Sequence, residues 1–279
     1  MELAEVLKFI RTNTEWLYVV IYQNKLFFID YWSFVHFFSG ILLPVVLTNL
    51  KIKRVYSIST LILIAYEVVE ISLIYFAFNV FKPETIKDQF TDIFIGMFGV
   101  IIISLMKRKL SFQNLNLKLN LYALFSSFIV AFIWVGFYKY QYNFEALNTK
   151  GLNLWAFLWW SICLFLICQF HLRQKNKFQN EILYYFTLYI SYLIILLVVE
   201  FIGYKILGIR EIYHSDSTAL LFDIIHGTFT LHFFYLTSPF IMIFFIELIK
   251  YLFEKFFYLN SSNQLNKQLV IFETAEAAE

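Results

Sequence analysis

The segment ILYYFTLYISYLIILLVVEFIGYKIL, residues 182–207, decides the fold. Its only charged side chains are Glu200 and Lys205. A helix needs about 20 mostly apolar residues to cross a bilayer, and this run exceeds that length. Seven other stretches have the same character: residues 30–50, 56–80, 88–106, 119–139, 152–172, 217–236 and 239–258. Working outward, the whole chain of 279 residues is 60% hydrophobic and 15% charged, with a mean hydropathy of +0.67. Soluble domains are closer to about 45–50% apolar and about 25% charged. A soluble enzyme, a disordered chain and a nucleic-acid-binding protein are excluded. The net charge of +2 does not point to a polyanionic partner either. Only 8 Gly and 3 Pro interrupt the chain, so long helices are expected.

The predicted architecture is all-α, a polytopic membrane protein of about eight transmembrane helices. They form two four-helix halves, residues 26–140 and 141–258. An amphipathic helix lies within residues 1–25, where Leu3, Val6, Leu7, Ile10, Trp16 and Leu17 alternate with Glu2, Glu5, Lys8, Arg11 and Glu15. The tail, 259–279, is polar, and its end from Glu273 reads as disordered. The N-terminus carries Glu2 and Glu5 ahead of Lys8, unlike the basic start of a cleaved signal peptide. Cys163 and Cys168, five residues apart on one helix, face different ways and read as inert buried thiols.

Orientation follows from basic loops. Lys51, Lys53 and Arg54 follow the first span. Lys107, Arg108, Lys109 and Lys118 follow the third, and Arg173, Lys175 and Lys177 the fifth. These loops are expected in the cytoplasm and the N-terminus outside. Thr237, Ser238 and Pro239 separate the last two segments and read either as a tight turn or as a kink in one long helix.

The halves also resemble each other. Tyr31-Trp32-Ser33-Phe34 parallels Leu154-Trp155-Ala156-Phe157. Val69-Glu70 followed by Asp92-Ile93-Phe94-Ile95-Gly96 parallels Val199-Glu200 followed by Asp223-Ile224-Ile225-His226-Gly227. An internal repeat of four helices would place the halves in the same orientation.

Acids inside membrane helices are costly, about 2.5–3.5 kcal/mol each at the bilayer centre on insertion scales. Glu67 and Glu70 lie three apart on one face of the second span. Asp88 and Asp92 lie four apart at the start of the third, and Gly96 and Gly99 continue that face, where small residues admit a neighbouring backbone. His36 and Gly40 form a like step in the first span. The expected orientation puts His36, Glu67, Glu70, Asp88 and Asp92 in the outer half of the bilayer. Glu200, His214, Asp216, Asp223 and His226 repeat the theme in the second half, His232 lies deeper, and Glu247 is placed to pair with Lys250. Bland readings stand beside these. His36 serves as a hydrogen-bonded packing residue, the glutamates bond to neighbouring Tyr or Ser, and Asp88 and Asp216 cap helices. Asp92, one turn deeper, escapes the capping explanation. Asp92, Glu70, His36 and Glu67 are the candidate catalytic residues, and Asp88, Glu200, Asp223 and His226 the candidate substrate-binding residues.

No Gly-rich phosphate loop, GxSxG elbow, HExxH motif, histidine box or aspartate-rich prenyl-transferase motif is present, so no cofactor is indicated. A metal held by His36, Glu70 and Asp92 is chemically reasonable, though no spacing demands it.

Residues 30–106 resemble the VanZ-like group of bacterial membrane proteins. The matching residues are Asp30 with His36 and Gly40, then Glu67 and Glu70, then Asp88, Asp92, Gly96 and Gly99. The chain departs from that pattern in its second half and in lacking the Gln that often accompanies the second-helix acid. Some members of the group are linked to resistance against glycopeptide antibiotics of the teicoplanin type. The resemblance implies a role at the outer leaflet, near lipid-linked envelope precursors.

The expectation is an envelope protein of the bacterial cytoplasmic membrane, with a polar site in the extracytoplasmic half of the bilayer that handles a membrane lipid or a lipid-linked headgroup. High Phe, Ile, Lys and Asn usage fits an AT-rich bacterial genome. If there is chemistry, Asp92 or Glu70 acts as general base or metal ligand and His36 orients or shuttles a proton. The rivals are a proton-coupled transporter with the carboxylates as relay, and a non-enzymatic subunit bound to partner membrane proteins.

Overall fold

The structure, a computed structural model, describes residues 3–72, 85–109, 115–209, 218–220 and 224–276. It is an all-α membrane protein. Among the described residues, seven helices are long and apolar enough to cross a membrane. The helices are α1 (Leu3–Thr14), α2 (Trp32–Asn49), α3 (Val55–Ser72), α4 (Ile86–Lys109), α5 (Leu115–Tyr138), α6 (Leu154–Gln174), α7 (Glu181–Phe201) and α8 (Phe229–Glu276). Among the described residues, two short antiparallel strand pairs accompany them. Strand β1 (Val20–Gln23) pairs with β2 (Phe28–Asp30), and β3 (Thr218–Leu220) pairs with β4 (Ile225–Gly227).

The chain forms two compact units. One comprises residues 1–12, 18–113 and 249–279, and the other residues 13–17 and 114–248. In the first unit the burial pattern is inverted relative to a soluble protein. Helix α3 buries Ser59, Leu63, Glu67 and Glu70, spaced four, four and three apart, while Leu61, Ile64, Val68 and Val69 are exposed. Water would favour the reverse. Lipid favours this arrangement, because the apolar face meets hydrocarbon and the polar face must find partners inside.

Helix α2 packs along α4. Three glycines permit the approach. A Cβ on Gly40 would collide with the Gly96 carbonyl, and one on Gly99 with the Phe37 carbonyl. Asp30, just ahead of α2, accepts the Ser33 N–H at 3.0 Å and so satisfies a donor of the first turn. At the other end Lys51, at φ +59°, closes α2. Its N–H bonds to the Thr48 carbonyl, and the Ile52 N–H bonds to that of Leu47.

The second unit is stitched by aromatic residues. Tyr140 Oη accepts from the indole nitrogens of Trp134 and Trp160, at 2.9 and 2.8 Å. Trp134 stacks on Phe234. Asn153 caps α6 by accepting the Ala156 N–H at 2.9 Å.

The structure corrects the sequence reading in four places. The amphipathic helix ends at Thr14, and residues 20–23 form β1 instead. Trp16, expected on a lipid-facing stripe, is buried against Phe132 in a slot opened by Gly136. The segments expected at 217–236 and 239–258 are not two helices. Residues 218–220 and 225–227 are strands, and a single helix runs through Pro239, so the described residues hold seven helices fit to cross a membrane where eight were expected. Pro239 has no N–H to give the carbonyl of Tyr235, but Tyr192 Oη donates to that carbonyl at 2.7 Å and Ser238 Oγ donates to Tyr192 Oη at 2.9 Å. Supplying a substitute donor is what lets a proline stay inside a membrane helix. Finally, α8 continues through the polar segment after residue 259 as far as Glu276, so residues 273–276, expected to be disordered, are helical.

Candidate functional site

Three helices of the first unit bring their polar residues to one end. At about 1.5 Å per residue, His36 lies about 6 Å into α2, Glu67 about 7 Å from the end of α3, and Asp92 about 9 Å into α4. Because the helices alternate in direction, these positions coincide. His36 Nε2 sits 3.5 Å from Glu67 Oε1 and 3.7 Å from Asp92 Oδ2. One ligand atom each from His36, Glu67 and Glu70 fits within 4.8 Å of the others. Four of the candidates, His36, Glu67, Glu70 and Asp92, are thus gathered, and all are at most 3% exposed.

The imidazole is fenced by aromatic rings. Trp32 and Tyr66 both present T-shaped contacts to it, at centroid distances of 6.2 and 5.4 Å. Asp92 is held separately, since Ser33 Oγ donates to Asp92 Oδ1 at 2.7 Å. Ser33 is in turn fixed by its N–H bond to Asp30 Oδ1. Burial pushes the Asp30 carboxyl up from the usual aspartate range to about 6, and its hydrogen bonds from Ser33 and Trp32 only partly oppose this.

The glutamates are not satisfied in the same way. Among the described residues, both carboxylate oxygens of Glu67 and of Glu70 lack a hydrogen-bond partner, as do Asp88 Oδ1 and His36 Nε2. This answers the bland reading of Glu67 and Glu70, since neither is bonded to a Tyr or Ser among those residues. Asp88 is not the cap of α4. Thr85 Oγ1 takes that position by accepting the Asp88 N–H at 3.3 Å, and Asp88 lies within the helix, buried.

The second-half candidates differ. Glu200 is buried but accepts the Tyr235 hydroxyl at 2.8 Å, a short hydrogen bond of a kind that Glu70, which has the Trp32 indole beside it, does not make among the described residues. Asp223, His214 and Asp216 lie outside the described residues. His226 belongs to β4 rather than to a helix. Glu247, expected beside Lys250, reaches His171 Nε2 at 2.8 Å and Lys175 Nζ at 3.7 Å. His171 Nδ1 meets Tyr184 Oη at 2.6 Å, completing a chain through α6, α7 and α8.

Sequence reasoning passed over Ser33 and His171. The Asp-x-x-Ser step at the head of α2 could have flagged Ser33. Nothing in the spacing could have flagged His171, whose partners are on other helices. Compared with protein-family models, curated proteins and solved structures, the chain finds no match in any of the three.

Proposed function

We propose that this multi-pass membrane protein resides in a bacterial cytoplasmic membrane and uses the His36–Glu67–Glu70–Asp92 cluster to receive the headgroup of a lipid or lipid-linked molecule. One observation carries the reading. Buried carboxylates with unpartnered oxygens are gathered near one end of three lipid-exposed helices. Structural acids in membranes are paired, and unpaired ones mark sites. The basic loops after α2 and α4 favour the extracytoplasmic side for that end. The resemblance to the VanZ-like group adds support from envelope biology. Within the site, Asp92 is the group proposed to accept a proton, Glu70 to accept a proton or hold a metal ion, and His36 to orient between Glu67 and Asp92.

Native mass spectrometry of the gently solubilised protein tests this. A discrete lipid adduct is expected on the wild type and should be lost in Glu70→Gln and Asp92→Asn variants that elute like the wild type. An adduct that is absent, or equally retained in both variants, overturns the reading.

A further inference from the structure

We infer that His36, Glu67 and Glu70 form a binding site for one divalent transition-metal ion of the Zn²⁺ or Mn²⁺ class. The inference rests on the proposed headgroup site and names what would make it work.

The donor set is one imidazole and two carboxylates. Nitrogen with oxygen donors suits Zn²⁺ and Mn²⁺ better than Ca²⁺, which takes six to eight oxygens. Three protein ligands leave coordination positions open for an outside oxygen. The atoms lie within 4.8 Å of one another, so closure of about 1 Å brings them to bonding geometry around an ion.

His36 Nε2 is the independent pointer. It is buried, lies 3.5 Å from Glu67 Oε1 and 3.7 Å from Asp92 Oδ2, and makes no hydrogen bond among the described residues. Charge points the same way. Among the described residues no Lys or Arg pairs with Glu67, Glu70, Asp88 or Asp92. Lys87, adjacent to Asp88, instead sends its ammonium to the Asn24 carbonyl at 3.0 Å. A divalent ion neutralises the two glutamates and leaves a neutral imidazole as third ligand. It also resolves a conflict in the headgroup reading. A ring of acids repels a phosphate, whereas a metal with open positions attracts one.

The test uses the full-length protein in detergent, stripped with a chelator and dialysed against Mn²⁺ or Zn²⁺. Bound metal is counted by mass spectrometry after desalting. Wild type and Glu181→Gln, an exposed acid at the start of α7, are expected to retain about one ion per chain. Glu67→Gln and His36→Gln should bind at least tenfold more weakly. Electron spin-echo spectra of the Mn²⁺ form should show nitrogen coupling, lost in His36→Gln. If these variants do not elute like the wild type, Glu70→Asp takes their place and should show a perturbed spectrum. A wild type with no retained metal, or retention and nitrogen coupling that survive in the variants, overturns the site. Lipid adducts on metal-free protein would leave the headgroup reading standing alone. Metal without any lipid adduct would leave only the metal site.

Discussion

Gly40 and Gly96 bring α2 and α4 together so closely that a methyl group on Gly40 would occupy the space of the Gly96 carbonyl oxygen. His36 lies one turn from Gly40, and its own carbonyl faces Gly96. The helix contact and the polar cluster are therefore one structure. Gly40→Ala should destabilise the protein by about 1–3 kcal/mol through overpacking against backbone that cannot yield. Gly203 is the contrast, with nothing among the described residues within 4 Å of an added Cβ. Gly203→Ala should be neutral or slightly stabilising, by up to about 1 kcal/mol. Thermal unfolding in detergent compares the two, and equal melting temperatures would contradict the close-packing argument.

Tyr192 supplies the hydrogen bond that Pro239 cannot. Tyr192→Phe leaves the Tyr235 carbonyl and Ser238 Oγ without that hydroxyl, at a cost of about 1–3 kcal/mol. The double variant Tyr192→Phe with Pro239→Ala restores a backbone donor and should recover much of the loss. A double-mutant cycle on melting temperature shows the coupling, and strict additivity would refute it.

Asp30 makes stability depend on pH. Its folded carboxyl titrates near 6, above the usual aspartate range, because burial disfavours the charge. Folding therefore takes up a proton in that interval. The contribution is complete below about pH 4 and is lost as pH rises through 6, amounting to about 3 kcal/mol at most. Relative to Asp30→Asn, the wild type should lose melting temperature between pH 4 and 7. A constant difference across that range would mean that Asp30 titrates normally.

If the seven helices among the described residues that are long and apolar enough all cross the membrane, residues ahead of α2 and residues after the last span lie on opposite sides. Lys250 and Lys255 near the end of the last span, and Lys267 beyond it, then share the side of the basic loops. In a background with Cys163 and Cys168 replaced by Ala, a single cysteine at Ser262 should resist a membrane-impermeant maleimide in spheroplasts and react after permeabilisation. Labelling before permeabilisation would reverse the assignment.

His171 is wholly buried between Tyr184 and Glu247. Tyr184→Phe should cost about 1–2 kcal/mol by removing the hydroxyl that meets His171 Nδ1. Lys175→Ala should change stability by less than about 0.5 kcal/mol, since the pair with Glu247 is long and partly exposed. Chemical denaturation of the two variants would show whether the buried bond outweighs the exposed pair.

Much of the architecture was legible because bilayer thickness imposes a length on every span. The faces of α3 and α4 were legible too, since Glu67 with Glu70, and Asp88, Asp92, Gly96 and Gly99, obey helical spacing. What spacing could not convey was partnership between helices. The Tyr192 bond that keeps α8 whole, and the Tyr235 bond that sets Glu200 apart from Glu70, each join residues far apart in the chain. The hairpin of β1 and β2 escaped because its strands are only four and three residues long. Asn24 Oδ1, which accepts the N–H groups of Leu26 and Phe27, was its only local signal.

The inward-facing acids of α3 also constrain biogenesis. On insertion scales an acid costs about 2.5–3.5 kcal/mol at the centre of a span and less toward its end, where Glu67 and Glu70 lie, while a single Leu, Ile or Val returns only about 0.3–0.6 kcal/mol. Leaving the translocon alone, α3 would expose Glu67 and Glu70 to hydrocarbon. Packing against α2 and α4, which enclose those carboxylates, removes that cost. The residues that build the site thereby tie the stable insertion of α3 to that of its neighbours.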